Sequence, residues 1–76
     1  MVSYKGYLIY GKALAIRSNP QVWRSLGVVC AKTSRGSIIE IRHLEGAVFK
    51  TREAAEDDGL ELCKNWLDKN LPSAKA

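Results

Sequence analysis

Residues 38–70 read IIEIRHLEGAVFKTREAAEDDGLELCKNWLDKN, and within them an apolar period of two gives way to one near 3.6. Ile39, Ile41 and His43 fall on one side of an extended segment over residues 38–44, with Ile38, Glu40, Arg42 and Leu44 on the other. Glu45-Gly46 ends that strand, and Ala47-Val48-Phe49 is a short extended connection that drives Phe49 into the core. Thr51 is placed to cap a helix, because its hydroxyl can accept from the unpaired amides of the first turn. The helix runs over residues 52–70. Its acids come early (Glu53, Glu56, Asp57, Asp58) and Lys64 and Lys69 come late, which suits the helix dipole. Ala55, Gly59, Leu62, Cys63, Trp66 and Leu67 form one apolar stripe. Gly59 costs about 1 kcal/mol relative to Ala inside a helix, so its place on the stripe predicts close contact with a sheet. Trp66 and Leu62 are expected to pack on Ile39 and Ile41.

Working back from this segment, residues 4–17 form a strand rich in Tyr, Leu and Ile, with Gly11 a candidate bulge. Residues 18–21, Ser-Asn-Pro-Gln, form a turn. Residues 22–33 form a second strand, in which Gly27 permits close approach by a neighbour. Residues 33–37 make a further turn, where Gly36 is suited to positive φ. The expected fold is therefore α+β: a three-stranded antiparallel sheet (β-β-β-α) packed on one face by the C-terminal helix. Residues 1–72 are expected to form a single domain and residues 73–76 a disordered tail.

A chain of 76 residues folds with little to spare, since such a domain buries only roughly 60% of its unfolded surface. Residues 1–50 carry eight Lys or Arg against two acids, whereas residues 51–76 carry four against six. The expected molecule is thus a positive sheet backed by a negative helix. The apolar run from Tyr7 is broken by Gly11 and Lys12 and is too short to span a bilayer, so no membrane role is expected. With only Cys30 and Cys63 and no secretory signal, the expectation is a cytoplasmic protein with reduced, inert thiols.

Catalytic patterns are absent from the sequence: there is no phosphate-binding glycine loop, nucleophile elbow or paired catalytic carboxylate. The single histidine, His43, lacks neighbouring ligands and is expected to be a partly buried structural imidazole. The acidic run in the first helical turns lacks the spacing of a calcium loop. No enzyme activity, cofactor, metal or small-molecule substrate is expected. What stands out is a set of dispersed cations (Lys5, Lys12, Arg17, Arg24, Lys32, Arg35, Arg42) interleaved with Tyr4, Tyr7, Tyr10 and Trp23. Cations that neutralise phosphates and aromatic faces that stack on bases are one way to bind nucleic acid. The candidate contacts are Lys5, Arg17, Trp23, Arg24 and Arg42, with the four cations expected on the face opposite the helix.

Tyr4-Lys5-Gly6, Trp23 and the handover Phe49-Lys50-Thr51-Arg52-Glu53-Ala54-Ala55 resemble two kinds of DNA-binding domain. These are the domain of plant ethylene-response factors and the arm-binding end of tyrosine-recombinase integrases. The resemblance implies a sheet that lies in the DNA major groove with the helix packed behind, and places Lys5, Arg17, Trp23 and Arg24 near the contacts. Tyr7-Leu8-Ile9-Tyr10 stands where the plant domains have arginines and a tryptophan. The Tyr-Lys-Gly-Tyr start and Phe-x-Thr-x-Glu-Ala-Ala handover are equally similar to small, uncharacterised bacterial proteins, and the element order to some antitoxins. Two partner classes are therefore expected: DNA or RNA on a basic sheet face, or a protein, including a second copy, on the outer face or an edge strand.

Overall fold

The N-terminal apolar run folds into two strands. Lys5 and Gly6 take positive φ (50° and 85°) and close a two-residue hairpin between β1 (Val2–Tyr4) and β2 (Tyr7–Ile16), with Tyr4 opposite Tyr7. The expected three-stranded sheet is therefore four-stranded, because a glycine within a continuous β-forming run supplies the conformation a turn needs. The computed structural model describes residues 1–70, so the expected tail over 73–76 lies outside the described residues. β3 (Asn19–Lys32) follows after two residues, and β4 (Ile38–Phe49) after the turn in which Gly36 has φ 87°. The strands lie in sequence order, all antiparallel, and α1 (Arg52–Asn70) crosses one face. Its N-terminus is capped as expected: Thr51 Oγ1 accepts from the amide of Ala54 at 3.1 Å.

β4 departs most from the expected alternation. Val29 pairs with Arg42 and Cys30 with Glu40, leaving Ile41 as an extra residue. Further on, Arg24 pairs with Val48 and Leu26 with Glu45, so Gly46 and Ala47 together oppose Ser25. Each bulge resets which side chains face the helix. Arg42 and Leu44 consequently share the helix side with Ile39, while Ile38, Glu40, His43 and Glu45 face away. The strand also continues through Gly46 to Phe49, because the second bulge absorbs the glycine where a strand end was expected. At Gly11, where a bulge was anticipated, the pairing with Gly27 is regular.

Gly11 and Gly27 lie side by side under Gly59 of the helix. A methyl group on Gly11 would collide with the Glu56 carbonyl, one on Gly27 with the Gly59 carbonyl, and one on Gly59 with the Leu26 carbonyl. The helix backbone thus rests directly on β2 and β3. Ile9, Val29, Cys63 and Leu67 pack without exposure beside this contact, with Tyr4, Tyr7, Leu44, Leu60 and Trp66 around them. Ser25, also fully buried, donates to Asp58 Oδ2 at 2.6 Å and so has its hydroxyl satisfied. Since α1 lies chiefly over β2 and β3, Ile39 and Ile41 remain 49% and 42% exposed. They do not form the expected bed for Trp66 and Leu62; Trp66 is half-buried and meets Arg42 and the rim of the core.

Candidate interaction edge and groove

The five candidate nucleic-acid contacts are divided between the two sides of the sheet. Lys5 sits in the first hairpin with its Nζ 2.7 Å from Asp68 Oδ1 of the helix, and the Tyr4 hydroxyl donates to the same oxygen at 2.9 Å. Arg42 holds its guanidinium 5.6 Å from the Trp66 ring. Trp23 shares the helix side with Phe49, and Arg52 lies 6.0 Å from its ring. Only Arg24 occupies the face opposite the helix, where it donates to the Gly46 carbonyl at 3.2 Å. Arg17 is exposed at the β2–β3 connection. The anticipated continuous surface of Lys5, Arg17, Arg24 and Arg42 is not formed, because Lys5 pairs with Asp68 of the helix and the Ile41 bulge turns Arg42 to the helix side beside Trp66.

By register, the cations of the outer face are Lys12, Arg24 and Lys32, set among Glu40, Glu45 and His43. Tyr10 of β2 reaches across β3 and donates to Glu40 Oε2 at 3.1 Å, while His43 Nε2 lies 2.7 Å from Glu40 Oε1. His43 is exposed and paired, rather than the partly buried structural imidazole expected. The His43 and Tyr10 contacts hold the Glu40 carboxyl below its ordinary value, and burial together with Glu40 raises the Tyr10 hydroxyl. The bridge spans Val28 and Cys30, both buried on the outer face.

Both cysteines are free and buried, and they belong to different faces: Cys30 to the outer face and Cys63 to the helix interface. Burial raises both thiols, so the reactive thiolate is scarce at neutral pH. Among the described residues no group of three or more His, Cys, Asp or Glu is arranged to hold a metal ion, and no helix is long and apolar enough to cross a membrane.

The remaining feature is β4 itself. It pairs with β3 on one side only, along a strand of 12 residues, and it exposes Ile38, Ile39, Ile41 and Val48 by 42–49%. Beside it, between β4 and α1, opens a cleft of about 340 Å³ lined by Leu44, Leu62 and Trp66, with His43, Glu45, Asn65 and Lys69 also on its walls. The isoleucines escaped the sequence reading because an alternating strand looks the same in the centre of a sheet and at its edge. A signal was present in the count: Ile38, Ile39, Ile41 and Leu44 put apolar side chains on both sides of β4, more than one helix covers. No family model, curated protein or solved structure matches this chain.

Proposed function

We propose that this chain is a non-catalytic protein-interaction module that accepts an extended strand along β4. The observation that carries the reading is a long edge strand, unpaired on one side, with exposed isoleucines beside an apolar cleft. An added strand gains affinity from main-chain hydrogen bonds and selectivity from pockets that take alternate side chains. Here the cleft between Leu44, Leu62 and Trp66 is placed to take side chains that point to the helix side. A displayed library of extended peptides, followed by amide-shift mapping with the selected peptide, tests this. The shifts should concentrate on β4 and the Trp66 indole, and N-methylation of alternate peptide bonds in the ligand should abolish them. Binding centred on the outer face, or unaffected by N-methylation, would sink the proposal.

Nucleic-acid binding is the second reading, supported by Lys12, Arg24 and Lys32 on the outer face with Tyr10. It gives a different signature: steep weakening with added salt, and loss on Lys12→Glu with Arg24→Glu. Titration into DNA and into RNA at low salt separates the two readings.

A further inference from the structure

We infer that the strand β4 accepts is β4 of a second copy of this chain, antiparallel about a two-fold axis between Ile41 and Arg42. This inference rests on the strand-acceptor reading above and adds the occupant and the register. In a two-fold antiparallel pair, residues across the axis must share a sheet face, and the Ile41 bulge decides which ones can. Ile39, Arg42 and Leu44 share the helix side, whereas Ile38, Glu40, His43 and Glu45 share the outer side.

With the axis between Ile41 and Arg42, every flanking residue meets one from its own side. Ile39 opposes Leu44 of the second copy, Glu40 opposes His43, and Ile38 opposes Glu45. Neighbouring registers fail. An axis on Ile41 sets outer Glu40 against helix-side Arg42, and an axis on Arg42 sets that cation against its own copy. An axis between Arg42 and His43 brings Glu40 opposite Glu45, and one between Glu40 and Ile41 keeps the faces but pairs Ile39 with Arg42 and Ile38 with His43, forming neither the Ile39–Leu44 nor the Glu40–His43 contact. Face and side-chain chemistry therefore favour this register over its neighbours: it leaves Ile41 opposite Arg42 and Ile38 opposite Glu45, while its apolar Ile39–Leu44 pair and its carboxylate–imidazole Glu40–His43 pair are of the stabilising kind.

The same register gives the exposed apolar residues a use. Ile39, half-exposed in the single chain, comes to lie beside the Leu44, Leu62 and Trp66 cleft of its mate. Both helices then lie on the same side of one continuous eight-stranded sheet, since the axis is perpendicular to it. Assembly stops at two copies, because a two-fold consumes the same edge on both chains. The opposite edge offers only the three residues of β1 and the Lys12-bearing stretch of β2 beyond it. The bulge and the charges of β4 discourage indiscriminate strand pairing, which leaves the matched register favoured.

Sedimentation of the full chain from low-micromolar to near-millimolar concentration tests the inference. A reversible monomer–dimer equilibrium is expected. Ile39→Lys and Glu40→Lys should each weaken the dimer about tenfold or more, since each change occurs twice across the axis. Adding His43→Glu to Glu40→Lys reverses both members of the pair and should restore the dimer, an outcome that unrelated contacts would not produce. Arg17→Glu, away from β4, should leave the equilibrium unchanged. Circular dichroism confirms that each variant is folded, and Ile38→Lys replaces any that is not. Strict monomers throughout would overturn the inference, as would a dimer indifferent to Ile39→Lys or assemblies that grow without limit. If the chain is monomeric, the peptide titration separates the cases: β4 shifts preserve the strand acceptor with a foreign occupant, and their absence removes both proposals.

Discussion

Three glycines set the distance between helix and sheet. At Gly59 two effects oppose one another, because alanine would raise helix propensity by about 1 kcal/mol yet press a methyl group into the Leu26 carbonyl. Backbone cannot move aside as a flexible side chain can, so the clash wins. Gly59→Ala is expected to lower stability by about 1–3 kcal/mol or more, read by chemical denaturation; a stabilised variant would show the contact to be looser than described. Burial also ranks the stripe. Leu67 is fully buried while Trp66 is only partly buried and rests partly on Arg42. Leu67→Ala should therefore cost about 2–5 kcal/mol, and Trp66→Ala should cost less although it removes more atoms. The close contact at Gly27 and Gly59 was legible in the sequence, since glycine inside a strand or on an apolar helix stripe has few other reasons to be there. The ranking of Trp66 below Leu67 was not legible, because a stripe shows which residues face inward but not where the sheet ends.

Among the elements, α1 behaves as its sequence implies and β4 does not. A capped 19-residue helix with acids at its start and Lys69 in its last turn is determined by neighbours within four positions. β4 has its faces set by pairing with β3, and each bulge inverts the reading of everything beyond it. This is how Arg42 came to face the helix and His43 to face away. Because Ile38 and Ile39 are half-exposed in the single chain, replacing either with Lys should change the stability of the monomer by less than about 0.5 kcal/mol, measured at low protein concentration. A large loss there would place these residues in the core after all.

For the molecule as a whole, the link from the first hairpin to the last helical turn runs through Asp68. Its carboxyl is held below the ordinary range by the Lys5 ammonium and then the Tyr4 hydroxyl, as Glu40 is by His43 and Tyr10. A carboxyl depressed in the folded state contributes stability above its unfolded pKa and loses it as pH falls through the folded value. Lys5 and Tyr4 are raised by Asp68, and their contributions, present below their unfolded values, are lost as pH rises through the folded ones. The thermal midpoint should therefore decline from about pH 4 downward and again in strongly alkaline solution. Asp68→Asn should flatten both limbs; an unchanged profile would mean that these exposed contacts contribute nothing measurable.

The α+β class, the capped helix over residues 52–70, the Gly36 turn and the close helix–sheet approach all followed from the sequence, because each depends on local backbone preference or on a periodicity confined to one element. Tertiary structure decided the rest. The hairpin at Lys5-Gly6 forms because β1 gains a partner in β2. The bulges arise from matching β4 to β3, and the edge position of β4 follows from strand order. Pairings between residues far apart in sequence then placed the cations: Lys5 meets Asp68, and the Ile41 bulge turns Arg42 to the helix side, where it meets Trp66. A count of charges along the chain carries no information about such pairings, whereas an ion pair or a cation over an aromatic ring exists only once folding has brought its members within a few ångströms.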